Sequence, residues 1–157
     1  MKIKILIPVY NDFQSVSKLI RAINSAICNL DEEFSIIIVN DASTEKTDID
    51  ISNLNKINSI KVINFKNNQG HARCIATGLK HIYENEEFDY VIPMDGDGED
   101  RAEEISKFVE FLKYDNTKPV VGERIKRSEG IIFKISYNIH KLITLSLLVN
   151  LSSLETI

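Results

Sequence analysis

The stretch Phe88-Asp89-Tyr90-Val91-Ile92-Pro93-Met94 is largely apolar, too short for a helix, and runs straight into carboxylates at Asp95, Asp97, Glu99 and Asp100. Such a run reads as a buried strand, so the acids stand at its carboxyl end. In open α/β sheets that edge is where ligands bind, because loops from several strands converge there. Asp95 and Asp97 are spaced so that both side chains reach one ion or one polyol, and the intervening glycines let backbone and ligand approach closely. Oxygen-only donors suit Mg²⁺ or Mn²⁺, which bridge a few carboxylates to substrate phosphates. The competing reading is a solvated acidic turn ahead of a helix, since Asp and Glu favour helix N-termini. A calcium loop fits worse, because Ser106 stands where that loop's closing Glu belongs.

A strand that ends in polar residues and leads toward a helix also occurs upstream. Ile3-Lys4-Ile5-Leu6-Ile7-Pro8-Val9-Tyr10 is a β-branched run ended by turn residues, and Asn11-Asp12 can cap an amphipathic segment predicted over 15–29. Phe34-Ser35-Ile36-Ile37-Ile38-Val39-Asn40-Asp41 reads as a strand buried on both faces, as in parallel sheets. Asp41 at its end is either an N-cap or Asx-turn residue or a ligand contact. A third strand over 60–65 is followed by Asn67-Asn68-Gln69-Gly70 and a helix predicted over 71–83. Gly70 can open a tight turn against a ligand. Arg73 falls in that helix's first turn, where the macrodipole disfavours a cation unless a phosphate or carboxylate partners it. His71 has no Cys, second His or nucleophile near it in sequence and reads as structural.

Beyond the acidic strand, which this reading makes central, a helix is predicted over 102–113, with Ile105, Phe108, Val109 and Leu112 on its core face. Pro119-Val120-Val121-Gly122 is a short strand candidate opening into Glu123-Arg124-Ile125-Lys126-Arg127. Those three cations are either a solvated surface run or an anion-binding loop that complements the metal site. The apolar stretch 131–154 contains Lys134, His140 and Lys141, whose charges interrupt it and make a continuous membrane span only a marginal alternative. An amphipathic helix at a membrane surface or against other protein, and a core helix, are the stronger readings.

With 157 residues, 43% of them hydrophobic, and a formal net charge of -4, the chain has room for one globular domain with a substantial core. The mild acidity argues against a dedicated nucleic-acid binder. Cys28 and Cys74 fall in predicted helices without metal-ligand spacing and read as small buried hydrophobes, compatible with a reducing compartment. The first residues enter a strand directly, without the features of a signal peptide, so a cytoplasmic location is expected.

Four ordered stretches together resemble the GT-A fold of inverting nucleotide-sugar glycosyltransferases, family two. They are Ile7-Pro8-Val9-Tyr10-Asn11-Asp12, Val39-Asn40-Asp41-Ala42-Ser43-Thr44-Glu45-Lys46-Thr47, Asn67-Asn68-Gln69-Gly70-His71-Ala72-Arg73 and Met94-Asp95-Gly96-Asp97-Gly98-Glu99-Asp100. The resemblance implies an α/β, Rossmann-like, mostly parallel sheet flanked by helices. It implies that Pro8, Tyr10, Asp12 and Asp41 line the base and ribose pocket, with Asp41 accepting from the base, and it puts Gly70 and Arg73 in the same nucleotide-sugar set. Asp95 looks like the family's first DXD acid, near ribose and metal, and Asp97 like its metal-binding acid. Glu99, the third candidate ligand, stands where polyprenyl-phosphate sugar transferases often carry Gln. The implied cofactor is Mg²⁺ or Mn²⁺, which would neutralise the diphosphate leaving group.

Gly122-Glu123-Arg124-Ile125-Lys126-Arg127 followed by Lys134 is similar to the acceptor loop of the dolichyl-phosphate mannose synthase and undecaprenyl-phosphate glycosyltransferase branch. There, basic residues hold the lipid phosphate. The resemblance assigns Arg124, Arg127 and Lys134 to the acceptor phosphate and groups Arg124 with Asp95 and Asp97 as catalytic. An acceptor that is already anionic needs less help from a general base than a sugar hydroxyl does. Members of the family continue past this point with another acidic motif and acceptor-binding segments. The expected organisation is a nucleotide-sugar-binding domain over 1–130 and an amphipathic apolar segment over 131–157. That segment would begin an acceptor or membrane region and contact the cytoplasmic face of a membrane or a second copy. The expected function is metal-dependent transfer of a sugar from a UDP- or GDP-sugar to a polyprenyl phosphate. The alternative is a truncated module that binds a nucleotide sugar or a partner without transfer.

Overall fold

Ile3, Ile5, Ile7 and Val9 alternate with Lys4, Leu6 and Pro8 along β1 (Lys2–Val9), and every residue after Lys2 is buried. A strand apolar on both faces needs cover on both, and that is how the sheet is built. In this computed structural model, which describes residues 1–46, 49, 52–115 and 119–122, β1 lies between β2 (Glu33–Asn40) and β4 (Tyr90–Pro93). β3 (Ile57–Asn64) pairs with the far side of β2, giving the order β3-β2-β1-β4. All three pairings are parallel, with Lys2 opposite Glu33, Ile3 opposite Tyr90, and a register irregularity between Phe34 and Ser35 against β3.

Helix α1 (Phe13–Ala26) turns Phe13, Val16, Leu19, Ile20 and Ile23 inward at helical spacing. They pack with Ile3, Ile5, Ile7, Ile36 and Ile38 on one face of the sheet, joined there by Ile105 and Val109 of α3 (Ile105–Tyr114). A 3₁₀ turn over Ala102–Glu104 leads into α3. Helix α2 (His71–Asn85) covers the opposite face, where Cys74 and Ile82 meet Leu6, Ile37 and Val39. Gly78 allows that contact, because a Cβ there would lie 3.1 Å from Val39 Cγ2 and closer still to Leu6. Helices on both faces of a parallel sheet make the expected α/β architecture. The chain steps outward from β1 to β3, then returns through α2 to the other side of β1. The topological switch point is therefore between β1 and β4.

Several details differ from the sequence reading. β4 is at an edge of the four described strands, and its residues are half-buried or exposed. α1 begins two residues earlier than predicted and stops at Ala26. Turn hydrogen bonds from Cys28 N to Ser25 O (3.3 Å) and Leu30 N to Ile27 O (3.0 Å) replace the helical ladder, and Cys28 is exposed. Residues 119–122 are not a strand: Pro119 has no N–H for a ladder and Val121 is 86% exposed. Thr47, Arg124, Arg127, Lys134 and the segment 131–157 lie outside the described residues. Among the described residues no helix is long and apolar enough to cross a membrane.

Candidate functional site

Strand ends are aligned at the switch point by backbone bonds that prolong the ladders. Asp41 N donates to Val9 O at 2.8 Å, Met94 N to Leu6 O at 2.9 Å, and Phe65 N to Asn40 O at 2.9 Å. The residues that follow β1, β2 and β4 are thus held along one edge. Asn11 follows β1 with φ 51, a left-handed conformation that Asn tolerates. Its Oδ1 accepts from Thr44 N at 2.7 Å, and its N donates to Ser43 Oγ at 2.9 Å. Asn40 Oδ1 accepts from Ser43 N at 3.0 Å. These bonds hold the β2 exit loop over Ala42, whose φ of 58 is uncommon for a residue with a Cβ.

Asp41 is 4% exposed. Its Oδ1 accepts from Gln69 N at 2.6 Å and its Oδ2 from Gly70 N at 2.8 Å, a charge-assisted pair that grips the loop before α2. Gly70 makes the grip possible by adopting φ 88 at the helix N-cap. Burial, followed by the negative charge of Asp41, pushes the neighbouring Cys74 thiol up to about 11. Cys74 therefore stays a neutral thiol in the core. Asp12 has the capping role: its carboxylate accepts from Ser15 N at 3.1 Å and starts α1. Pro8 is buried in β1, whereas Tyr10 just beyond it is 52% exposed.

The acidic turn sits beside β1. Gly96 brings it close, since a Cβ there would be 3.0 Å from Val16 Cγ2 and 3.1 Å from Pro8 O. Asp95 N donates to Asp100 Oδ2 at 2.8 Å, and Glu99 N donates to Asp97 Oδ1 at 2.9 Å, an Asx turn completed by Gly98 at φ 84. Asp97 and Glu99 are exposed, while Asp95 is half-buried. His71 Nε2, from the first turn of α2, lies 3.4 Å from Asp95 Oδ1. The sequence reading missed this, because the pair forms only when α2 folds back over the end of β4. Among the described residues no three His, Cys, Asp or Glu side chains converge as a metal cluster. Asp95, Asp97 and Glu99 carry hard oxygen donors on one open turn, the donor chemistry that Mg²⁺ and Mn²⁺ take.

A concavity of about 430 Å³ opens between the β3–α2 connection and α2, lined by Asn64, Phe65, Lys66, Gln69, Arg73 and Thr77 among others. Arg73 Nη1 donates to Gln69 Oε1 at 2.6 Å. Of the residues that the resemblance grouped as nucleotide-binding, Arg73 alone lines this concavity.

The sequence pattern of Glycosyl transferase family 2 matches residues 4–150. An undecaprenyl-phosphate 4-deoxy-4-formamido-L-arabinose transferase of Klebsiella pneumoniae (strain 342) is 27% identical over 137 residues, 86% of this chain and 40% of that protein. The chain thus spans less than half the length of that relative. Residues 1–349 of S. aureus TarS share 25% identity and a TM-score of 0.54, covering 82% of this chain and 39% of that one. The same protein in complex with UDP-GlcNAc superposes with a TM-score of 0.58 at 23% identity, covering 82% of this chain and 38% of that one. The mannosyltransferase PcManGT of Pyrobaculum calidifontis, in complex with GDP-Man and Mn²⁺, gives a TM-score of 0.51 at 21% identity, over 80% of this chain and 35% of that one. The parallel sheet flanked by helices is that of the GT-A glycosyltransferases. On the match across residues 4–150, the chain belongs to Glycosyl transferase family 2.

Proposed function

We propose that this chain carries the donor half of a metal-dependent glycosyltransferase that moves a sugar from a nucleotide-diphosphate sugar to a polyprenyl phosphate at the cytoplasmic face of a membrane. The observation that carries this reading is the Asp95–Asp97 turn seated against β1 at the switch point, within a member of Glycosyl transferase family 2. Support for the donor comes from TarS, solved with UDP-GlcNAc, and from PcManGT, solved with GDP-Man and Mn²⁺. The acceptor class is suggested by the Klebsiella relative, an undecaprenyl-phosphate sugar transferase.

In this reading Pro8, Tyr10, Asp12 and Asp41 surround the base and ribose, with Gly70 in the same nucleotide-sugar set, while Arg73, grouped with them by the resemblance, lines the concavity beside α2. Asp41 has both oxygens on backbone amides, and each retains a lone pair for a base N–H. Asp95, Asp97 and Glu99 would hold Mg²⁺ or Mn²⁺ against the diphosphate. The ion, when bound, supplies charge neutralisation for the leaving group. Asp95 and Asp97, themselves anionic, would act on the diphosphate only by holding that ion. An acceptor phosphate oxygen attacks the anomeric carbon, the carbon–oxygen bond to the diphosphate breaks, and the electron pair leaves with the nucleoside diphosphate. No proton has to be removed from an ionised acceptor. The sequence resemblance alone assigns Arg124, Arg127 and Lys134 to that acceptor phosphate.

Calorimetric titration of the purified chain with UDP- and GDP-sugars, with Mn²⁺ or with chelator, tests the donor site. One nucleotide class is expected to bind only with metal, and Asp97→Ala is expected to weaken it by roughly tenfold or more. Binding indifferent to both metal and Asp97 would sink the reading. Binding without transfer to any polyprenyl phosphate would leave a nucleotide-sugar-binding module.

A further inference from the structure

The concavity beside α2 carries two cations, Lys66 and Arg73. Among the described residues neither is paired with a carboxylate. Arg73 lies in the first turn of α2, which has no acidic side chain of its own; the Asp41 carboxylate meets the helix at the N-cap amide of Gly70. Its partner is neutral: Gln69 Oε1 fixes the guanidinium at 2.6 Å without cancelling its charge. The backbone N–H of Gln69 is held by Asp41, which sets where its side chain leaves the loop. Asn64, anchored to Asn40 by a 2.8 Å bond, and Thr77 add polar groups to the wall, and Phe65 adds an apolar one. The volume falls in the range of small-molecule sites. A concave wall with two cations and aimed donors attracts an oxyanion.

We propose that this concavity is a phosphate-binding site, separate from the crevice between β1 and β4. Arg73, aimed by Gln69, donates through its planar fork, and Lys66 supplies a second charge. The chemistry is that of a phosphate group, carried either by free orthophosphate or by a small phosphate monoester whose organic part covers Phe65.

The test is calorimetric titration of the purified full chain with inorganic phosphate and, separately, with phenyl phosphate, at constant ionic strength. Saturable binding is expected, roughly tenfold weaker in Arg73→Gln and weaker also in Lys66→Gln. Gln69→Ala keeps every charge and the backbone bond to Asp41, so a loss of affinity there marks an aimed site rather than a diffuse positive surface. Asp97→Asn is expected to leave phosphate binding unchanged. Tighter binding of phenyl phosphate identifies an ester as the ligand, and equal binding identifies orthophosphate. No saturable binding, binding unaltered in Arg73→Gln and Gln69→Ala, or binding abolished by Asp97→Asn and displaced by UDP would each overturn the proposal. Far-UV circular dichroism of each variant checks that it is folded.

Discussion

Asp41 joins local structure to the site in a single side chain. Two backbone amides converge on one nearly buried carboxylate, so the loop before α2 takes its shape from β2. Asn at this position would keep one acceptor oxygen and turn an N–H₂ group toward the second amide, leaving a donor facing a donor. Asp41→Asn is expected to cost about 1–3 kcal/mol. Because the lost bond is local, the amides of Gln69 and Gly70 should exchange with solvent faster in the variant, while those in the middle of β1 change only with global stability. Hydrogen exchange read residue by residue checks this. Unchanged protection at Gln69 and Gly70 would mean that the clamp does not hold the loop.

The turn after β4 is positioned by what Gly96 lacks. A methyl group there would press on Pro8 O, a backbone atom of the packed strand β1, and on Val16 Cγ2, on the buried face of α1. Gly96→Ala is expected to cost about 1–3 kcal/mol by overpacking. The turn is also expected to move away from β1 and carry Asp95 and Asp97 with it. A thermal melt and the nucleotide-sugar titration should therefore fall together, and a melting temperature equal to that of the parent would refute the close contact. The same elements show what the sequence could convey. β1 and β2 were legible because residues on both of their faces are apolar, a pattern that only a covered parallel strand satisfies. The edge position of β4 was not, since an apolar run says that a strand is buried somewhere but not which strand lies beside it. Asp95 and Asp97 could be read from the strand-to-acid transition. The approach of His71 to Asp95 and the grip of Asp41 on Gln69 and Gly70 depend on the path of α2 across the sheet, which no local pattern encodes. Cys28 was misplaced because its neighbours have acceptable helix propensity, and the stop at Ala26 comes from turn hydrogen bonds rather than from a breaker residue.

At the scale of the whole molecule, the amino edge of the sheet is tied together by charge. Glu86, just past the end of α2, takes Lys4 of β1 at 3.0 Å and Lys61 of β3, so one carboxylate links a helix to two strands. The side chains of Lys4 and Glu86 are 10% and 9% exposed, whereas that of Lys61 is 54% exposed and contributes less. The hydrogen bonds from Lys61 and Lys4 hold the Glu86 carboxyl below its ordinary value, against the opposing effect of burial. A lowered folded-state pKa means that this stabilisation is present above the unfolded carboxylate pKa of about 4.3 and drains away as pH falls through the lower folded value. Glu86→Gln leaves Lys4 charged and nearly buried without its counter-ion, a loss of about 3 kcal/mol at neutral pH. On acidification the parent protonates Glu86 and comes to resemble the variant electrostatically. Urea unfolding of both proteins should therefore show a stability gap that persists from neutrality down to about pH 5 and narrows steadily below it. A gap that stays constant down to pH 3 would show that the ionised pair contributes nothing, and that the variant's cost lies in packing around the α2 terminus.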